Sequence, residues 1–486
     1  MYLIDPAAHT RRAFLRRAGH LAMAGTAAPF ALNLAAMGEA AAQGAPSGDY
    51  KALVCVFLFG GNDYANTLVN FDAASYGKYA GIRGAIALPY DAALAATELV
   101  PTVPLADGRK YALNPRMTGL ATLFGRSKMA VQLNVGPLVK PLTRAQYNSG
   151  NRKDFPVPPK LFSHNDQQSV WQSSSPEGST IGWGGNLGDL MLSGQQQGSL
   201  FTCISVSGNA VFLSGDVAQQ YQVGTRGAVR INSVSKASGN VYGSAAVKAA
   251  MQQLAQQPRS HTLENEYNKV TERASLAEGT VTAAIQPDDL GANFPANNNL
   301  ADQLKMVARM IRGRDALGVK RQVFFVSMGG FDLHDDLDTR QGDLMQRLSD
   351  AMTAFQQQME LLTLDGKVTA FTASDFGRTL SSNGNGSDHG WGSHHFVVGG
   401  AVNGKALYGT APPVSVGSTA ADEDQWHVGQ GRLLPTTSVD QYAATLARWF
   451  GVPDAELDGI LPNLKNFNNV SAPSGISYPR NMGFMA

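Results

Sequence analysis

Two apolar stretches separated by a helical pattern constrain the fold of this chain more than any other feature. Residues 322–327 are mostly β-branched or aromatic and end at Gly329-Gly330, and residues 368–373 resemble them and end at Ser374-Asp375. Between them, apolar side chains recur every three or four residues from 344 to 362, which is one face of a helix. A strand, a helix and a second strand in this order make the two strands parallel. The sequence therefore predicts an α/β fold with a mostly parallel central sheet.

Carboxylates and imidazoles follow both predicted strands. Asp332 and His334 come just after the first strand, Asp375 comes directly after the second, and His389 and His394 lie in a glycine-rich stretch before another apolar run. The crossover places both strand ends on one edge, where open α/β sheets bind ligands. Four of the seven histidines after residue 42 fall between 334 and 395. We therefore expect a divalent metal site at this edge, with Zn²⁺ or Mn²⁺ favoured by the imidazoles and Mg²⁺ or Ca²⁺ as alternatives.

A third apolar run supplies a further candidate ligand. Residues 52–59 are almost continuously apolar, which is typical of a strand covered on both faces, and Gly60-Gly61-Asn62-Asp63 follows directly. Asp63 is therefore placed like Asp332 and Asp375. Two of these assignments have a structural alternative: Asn62-Asp63 as a turn pair, and His394-His395 as loop residues that only hydrogen-bond locally.

Two further residues are candidates for the chemistry of an anionic group. Ser163 precedes a predicted helix that runs to about Gln172, so it is either an ordinary helix cap or a nucleophile at a helix N-terminus. Arg378 lies three residues after Asp375 and is a candidate for a forked contact to a non-bridging oxygen. Two metal ions can clamp an anionic ester, one activating the nucleophile and the other stabilising the leaving oxygen. The constellation thus favours phosphoryl or sulfuryl transfer.

The first 42 residues have the pattern of an export signal. Thr10–Arg16 resembles the twin-arginine motif, an alanine-rich run extends to about Met37, and Ala40-Ala41-Ala42 offers a cleavage site after Ala42. We expect export by the twin-arginine translocase to the periplasm or beyond, with no membrane span in the mature form. Residues 1–42 carry four arginines and two carboxylates, so the remaining chain falls from the total charge of +1 to −1, which gives no indication of a nucleic-acid partner.

The mature chain, residues 43–486, is predicted to form a single α/β domain. Residues 208–299 are rich in Gln, Ser, Asn and Gly and are predicted to form a helical insertion within it, whose role as a lid is left open. The two cysteines, Cys55 and Cys203, are either a disulfide or two buried thiols.

The chain also resembles a known family nearly end to end. The resemblance lies in the twin-arginine leader and in LFGGNDYANTLV, LNPRMTGL, AVQLNVGPL, FSHNDQQSVWQ, GWGGNLGDL, GGFDLHDDL, TASDFGRT, DHGWGSHH and LPTTSVDQYAATLARWFGV. These segments are similar to the exported bacterial family known as domain of unknown function 1501, which is in turn loosely similar to the alkaline phosphatase and sulfatase superfamily.

That looser similarity implies a three-layer, alkaline-phosphatase-like sandwich and an order of site residues along the chain. A metal-binding Asp after the first strand, a nucleophile capping a helix, and later Asp and His ligands correspond here to Asp63, Ser163, Asp332 with His334, Asp375, and the histidines from His389 to His394. Thr67 is the second candidate nucleophile. The superfamily usually has Asp-His where this chain has Asp375-Phe376, so one or two ions remain open.

We therefore expect an exported, metal-dependent hydrolase of phosphate or sulfate esters acting on a small molecule or an envelope polymer. Ser163 would attack, Asp63 and Asp375 would hold the ion that lowers its pKa, and Asp332, His334 and a later histidine would hold a second ion. The alternatives are a non-catalytic envelope-binding protein on the same fold, and a phospho-group transferase or mutase.

Overall fold

The computed structural model describes residues 49–105, 107–192, 199–235, 239–468, 470–471 and 476–486. The predicted export signal therefore lies outside the described residues. The strands, in chain order, are β1 (Lys51–Leu58), β2 (Leu68–Asn70), β3 (Glu98–Leu99), β4 (Tyr111–Leu113), β5 (Met129–Gly136), β6 (Cys203–Ser205), β7 (Gln220–Gly224), β8 (Gly227–Ala228), β9 (Arg321–Met328), β10 (Val368–Ser374), β11 (Arg378–Ser382), β12 (Ser387–His389), β13 (Ser393–Gly399), β14 (Ala406–Tyr408), β15 (Thr437–Ser438), β16 (Val470–Ser471) and β17 (Ser477–Tyr478). The α-helices are α1 (Tyr64–Thr67), α2 (Ala73–Arg83), α3 (Ala92–Ala95), α4 (Thr118–Gly125), α5 (Arg144–Asn148), α6 (His164–Ser173), α7 (Trp183–Met191), α8 (Ala245–Gln256), α9 (Thr262–Ala284), α10 (Asn299–Arg312), α11 (Leu337–Leu361), α12 (Val439–Phe450) and α13 (Asp454–Ile460).

A ten-stranded, mostly parallel sheet organises the molecule. Its order is β14-β5-β13-β10-β1-β9-β6-β7-β8, and β15 pairs with β5 off this path. Strands β10, β1, β9, β6 and β7 are parallel neighbours, whereas β13 runs antiparallel to both β10 and β5. The predicted crossover from β9 through α11 to β10 is present, with β1 inserted between the two strands. This confirms a mixed α/β fold with a large, mostly parallel sheet.

Helices cover both faces of this sheet because β1 is apolar on both of its faces. Ala52, Val54, Val56 and Leu58 belong to one hydrophobic core, which includes residues of α4, α10 and α11. Leu53, Cys55 and Phe57 belong to a second core with residues of α6, α7 and α12. Alternate side chains of a strand point to opposite faces, so one near-continuous apolar run serves two cores.

The three central strands end together, and this positions the polar residues that follow them. Leu58 at the end of β1 is aligned with Ser374 of β10 and with Met328 of β9. After β1, the chain turns at Gly60 and Gly61, whose φ angles are +117° and +81°. A Cβ atom at Gly60 would lie 2.3 Å from the backbone nitrogen of Asp332. The first turn thus packs against the segment that carries a candidate ligand, an approach that only glycine permits.

Some details differ from the sequence-based expectations. His394 and His395 lie inside β13 rather than in a loop before it, because β13 begins at Ser393 and pairs with β5 and β10. Residues 208–299 contain α8 and α9 but also contribute β7 and β8 to the sheet. Cys55 and Cys203 are both free and buried. In the part of the chain that the structure describes, none of the helices has the length and hydrophobicity of a membrane-spanning segment.

Candidate metal centre

The candidate site is built from four separate parts of the chain. Asp332 follows β9, Asp375 follows β10, and His389 ends β12, which pairs with β11 so that His389 faces Arg378. His164 is the first residue of α6 and comes from a distant part of the sequence. Strand-end placement therefore explains two of these residues, and a hairpin and a helix start supply the others.

Three imidazoles converge on the Asp332 carboxylate through their Nε2 atoms. The Nε2 atom of His389 lies 3.1 Å from that of His164 and 3.0 Å from that of His334. Asp332 Oδ1 is 3.1 Å from His334 Nε2 and 3.2 Å from His389 Nε2, and Asp332 Oδ2 is 3.4 Å from His164 Nε2. Ligand atoms of His164, Asp332 and His389 all lie within 4.8 Å of one another.

Each imidazole is held from behind through its Nδ1 atom. His389 Nδ1 is 2.8 Å from the carbonyl oxygen of Phe162, and His164 Nδ1 is 2.7 Å from Asp375 Oδ2. His334 Nδ1 lies 3.2 Å from Asp388 Oδ1. Because a carbonyl and an ionised carboxylate only accept hydrogen bonds, the short contacts of His389 and His164 favour the proton on Nδ1 and leave Nε2 as a lone pair when the ring is neutral, whereas His334 faces a carboxylate through both nitrogens.

This donor set fits a divalent metal ion. Bare Nε2 atoms that face one another at such short distances repel unless a cation or a proton lies between them. Two nitrogens bound at about 2.0–2.1 Å to one ion lie roughly 3 Å apart, which is close to the separations present here. A carboxylate or carbonyl on the far nitrogen of each imidazole is also the usual arrangement around metal-binding histidines.

The environment shifts the pKa values of the residues in the cluster in different directions. The hydrogen bond to Asp375 raises the pKa of His164, whereas burial lowers the pKa of His389. Burial acts to raise the pKa of Asp332, but the hydrogen bond and the charge of Arg378 outweigh it and hold that pKa below its usual value. Asp332 is therefore an ionised ligand candidate, and His389 is a neutral one.

Arg378 and Phe376 support the cluster from within the protein. The fully buried guanidinium of Arg378 lies 2.6 Å from Asp332 Oδ1, and it also donates to the carbonyl oxygens of Gly60 and Ser387. The ring of Phe376 packs against His164 and His389, with centroid distances of 4.8 and 4.7 Å. Arg378 thus fixes one carboxylate, and Phe376 occupies space beside two imidazoles.

Of the residues predicted from the sequence, Asp332, His334, Asp375, His389 and Arg378 come together. Asp63 does not bind alongside them: its Oδ2 pairs with Arg83 at 2.9 Å and accepts from Ser387 at 2.7 Å. Its Oδ1 accepts a hydrogen bond from the backbone N–H of Asn66, so that Asp63 caps the N-terminus of α1. Its carboxylate is therefore engaged in the protein interior.

Three other candidates also lie outside the cluster of Nε2 atoms. Thr67 is fully buried, and its hydroxyl contacts the carbonyl oxygen of Asp63 at 2.7 Å. His394 is buried, its Nδ1 accepts from the backbone of Asn134, and burial lowers its pKa to about 3. Ser163 directly precedes His164, but its hydroxyl donates to Asp166 Oδ2 at 2.9 Å and does not cap α6.

Two residues of the site are not among the candidates predicted from the sequence. His164 directly follows Ser163, the residue predicted at this helix start. Asp388 directly precedes His389 and accepts from both Asn383 and His334. The only available signal for His164 was its place at a predicted helix N-terminus beside other polar residues.

Comparisons with known proteins give a family and several distant structures, of which two are described. The model of the family described as "Protein of unknown function (DUF1501)" matches residues 50–461. No curated protein matches the chain. A structure titled "Crystal structure of Ps i-CgsB in complex with k-i-k-neocarrahexaose" is 10% identical, with a TM-score of 0.35, over 86% of this chain and 77% of that one. A second, titled "Crystal structure of Ps i-CgsB", is 9% identical with the same TM-score and coverage.

Proposed function

Since the chain belongs to the family described as "Protein of unknown function (DUF1501)", we propose a function from the site itself: a metal-dependent hydrolase of phosphate or sulfate esters. The observation that carries the proposal is the convergence of three imidazole Nε2 atoms on one carboxylate, each imidazole being held through Nδ1. We also propose that the fold is of the alkaline-phosphatase type and that the chain is exported through its twin-arginine leader.

The residues that would hold the ion are His164, His389 and Asp332, with His334 beside His389 as a further candidate ligand. A bound Zn²⁺ or Mn²⁺ would lower the pKa of a nucleophile and polarise the ester. The protein prepares the ligands in advance, because Asp375 and the Phe162 carbonyl fix the tautomers and Arg378 fixes the carboxylate. We favour one ion over two, since Asp63 is paired with Arg83 and Phe376 fills the space next to the imidazoles.

Ser163 remains the candidate nucleophile among the hydroxyl residues. Its hydroxyl already donates to a buried carboxylate, Asp166, which is positioned to accept the proton when the oxygen attacks. We do not propose Thr67 as the nucleophile. Its hydroxyl is enclosed by contacts to Asn62, Asp63, Gln341 and Met345. A metal-activated water is the alternative nucleophile.

One observation favours a second function, a non-catalytic protein that binds an anionic envelope component. The guanidinium of Arg378, which was expected to contact a substrate oxygen, is fully buried and bonded to Asp332, Gly60 and Ser387. With its arginine paired to Asp332, the site would have no guanidinium to stabilise the charge of the transition state. It would then bind an anionic ligand without accelerating its hydrolysis.

Turnover of aryl phosphate and aryl sulfate esters separates these two functions. The mature protein is assayed with chelator, after re-addition of Zn²⁺ or Mn²⁺, and as the His389→Ala variant. His261→Ala, an exposed histidine outside the cluster, is the matched control. We expect turnover of one ester class that chelator abolishes, that metal restores, and that falls at least about 100-fold in His389→Ala only. Full metal occupancy without turnover of either ester would reject the hydrolase and support the binding protein.

A further inference from the structure

We propose that residues 137–162, here called the basic loop, bind a linear polysaccharide that carries sulfate or phosphate groups. The polymer would run from the loop into the candidate metal centre, so that the ester at the site belongs to a chain and not to a small molecule. Its role as a substrate rests on the proposed function, whereas binding to the loop does not require it.

The charge of the basic loop differs from that of the rest of the molecule. Asp154 is its one carboxylate, and its net charge is +4, although residues 43–486 together carry −1. The five positive side chains are Lys140, Arg144, Arg152, Lys153 and Lys160. Asp154 accepts a hydrogen bond from Asn151 at 2.8 Å, and Lys160 lies 3.5 Å from the Asp166 carboxylate, which follows the loop. A concentration of one sign of charge attracts a ligand of the opposite sign and speeds its association.

The basic loop adjoins the cluster of imidazoles through direct contacts. Its last residue, Phe162, accepts the hydrogen bond from His389 Nδ1 at 2.8 Å. Arg432 bridges the two: its Nε donates to the carbonyl oxygen of His389 at 2.7 Å, and its guanidinium lies 5.4 Å from the centre of the Phe162 ring. A polyanion that follows the loop therefore arrives at the candidate ligands, with Arg432 at the junction.

Two of the five cations of the loop lie over aromatic rings of the same loop. Lys140 lies over Phe155 at 5.7 Å and Arg152 lies over Tyr147 at 4.9 Å. The ring of Tyr147 packs in turn against Trp391, two residues after His389, at 5.8 Å. Arg152, Lys153 and Lys160 are exposed. Cations that are held before binding lose less conformational entropy when they bind an anion.

The same arrangement disfavours two other polyanionic partners. No residue between 137 and 162 is among the large hydrophobic residues exposed in the described part of the chain. Insertion into a membrane surface uses an apolar face that enters the lipid, and sequence-independent binding of single-stranded nucleic acid uses exposed aromatic platforms. A sulfated or phosphorylated polysaccharide requires only spaced positive charges and hydrogen-bond donors, which the loop supplies.

The test compares matched polymers on matched variants. Dextran sulfate, dextran phosphate and unmodified dextran of equal length are titrated against the full mature protein by calorimetry. Variant Arg152→Glu/Lys153→Glu reverses two charges on the loop, and Lys269→Glu/Arg273→Glu reverses two exposed charges on α9 as the control with the same change in net charge. Thermal unfolding of both variants shows whether each is folded.

We expect a substituted dextran to bind the wild-type protein and the α9 variant with similar affinity, the loop variant to bind about tenfold more weakly or worse, and unmodified dextran not to bind. Raising KCl from 50 to 200 mM should weaken binding to wild type about tenfold or more, a measurement that needs no variant. Preference for dextran sulfate or for dextran phosphate identifies the anionic group.

Equal loss of affinity in both variants, or no loss in either, would overturn the proposal. So would tighter binding of anionic lipid vesicles or of single-stranded DNA than of either substituted dextran. Two outcomes separate this proposal from the proposed function. If His389→Ala loses its metal but still binds the polymer, the loop assignment stands. If the wild-type protein holds metal but does not bind the polymer, the loop assignment is refuted and the metal site is not.

Discussion

At the scale of single residues, Asp63 shows that a carboxylate after a buried strand need not belong to the candidate metal centre. It follows a buried strand as the other acidic residues do, yet its carboxylate forms an ion pair with Arg83, and both side chains are at most 2% exposed. We predict that Asp63→Asn lowers the unfolding free energy by about 3–5 kcal/mol, since it leaves a buried guanidinium without its counter-charge. Chemical denaturation measures this loss. Metal content per folded chain should stay unchanged, and a loss of metal without a loss of stability would return Asp63 to the ligand set.

Asp375, unlike Asp63, contributes to the candidate metal centre, because it orients the imidazole of His164. Its Oδ2 accepts from His164 Nδ1, from Gln168 and from the backbone of Gly60. Asp375→Asn should lower metal affinity about 10–100-fold, since His164 loses the charged acceptor that orients it. Asp388→Asn should have the smaller effect, because its contact to His334 is longer and more exposed. Competition with a chelator measures both constants, and equal effects of the two variants would contradict this ranking.

Asp440, in the first turn of α12, links stability to pH. Burial raises its pKa to about 6, despite hydrogen bonds from Asn463. A raised carboxyl pKa means that the folded state binds the proton more tightly, so stability is lost as pH rises from the unfolded value of about 4 through 6. Between pH 4.5 and 7.5, the wild type should lose about 2 kcal/mol relative to Asp440→Asn. Parallel denaturation curves at both pH values test this, and a constant difference between the two proteins would refute it.

At the scale of structural elements, the turn after β1 controls the site. A Cβ atom at Gly60 would clash with the backbone of Asp332, and one at Gly61 would lie 2.4 Å from the ring of Phe376. Gly60→Ala should therefore lower both stability and metal affinity. Gly279→Ala is the control: Gly279 lies inside α9 with open space around it, so alanine should stabilise the protein by about 0.5–1 kcal/mol. Metal titration and thermal unfolding of the two variants check both expectations, and normal metal binding by Gly60→Ala would contradict the role of the turn.

The elements of the central sheet were predictable because their apolar patterns are strong and local. The runs at 52–59, 322–327 and 368–373 correspond to β1, β9 and β10, and the helical pattern between the last two corresponds to α11. The position of β13 was not predictable to the same degree. Its histidines are polar, and only pairing with β5 and β10 shows that they belong to a strand.

At the scale of the whole molecule, the site combines a predictable part with an unpredictable part. Strand ends meet at one edge of a parallel sheet, so the association of Asp332 and Asp375 follows from topology. His164 reaches the same place from the start of α6, and no periodicity in the sequence specifies that α6 packs there. The ion pair between Arg83 and Asp63 could not be predicted from the sequence either. It joins the last residue of α2 to the turn after β1, and these two segments meet only in the completed fold.

The central claim is that His164, His389 and Asp332 hold one divalent ion, with His334 beside His389 as a further candidate ligand. Elemental analysis of the folded mature protein, purified without chelator or an affinity-tag metal, tests it most directly alongside His389→Ala and His261→Ala. We predict about one equivalent of Zn or Mn in the wild type and in His261→Ala, and less than about a tenth of that in His389→Ala. Absence of metal in the wild type, with no uptake and no rise in Tm when Zn²⁺ or Mn²⁺ is added, would contradict the account.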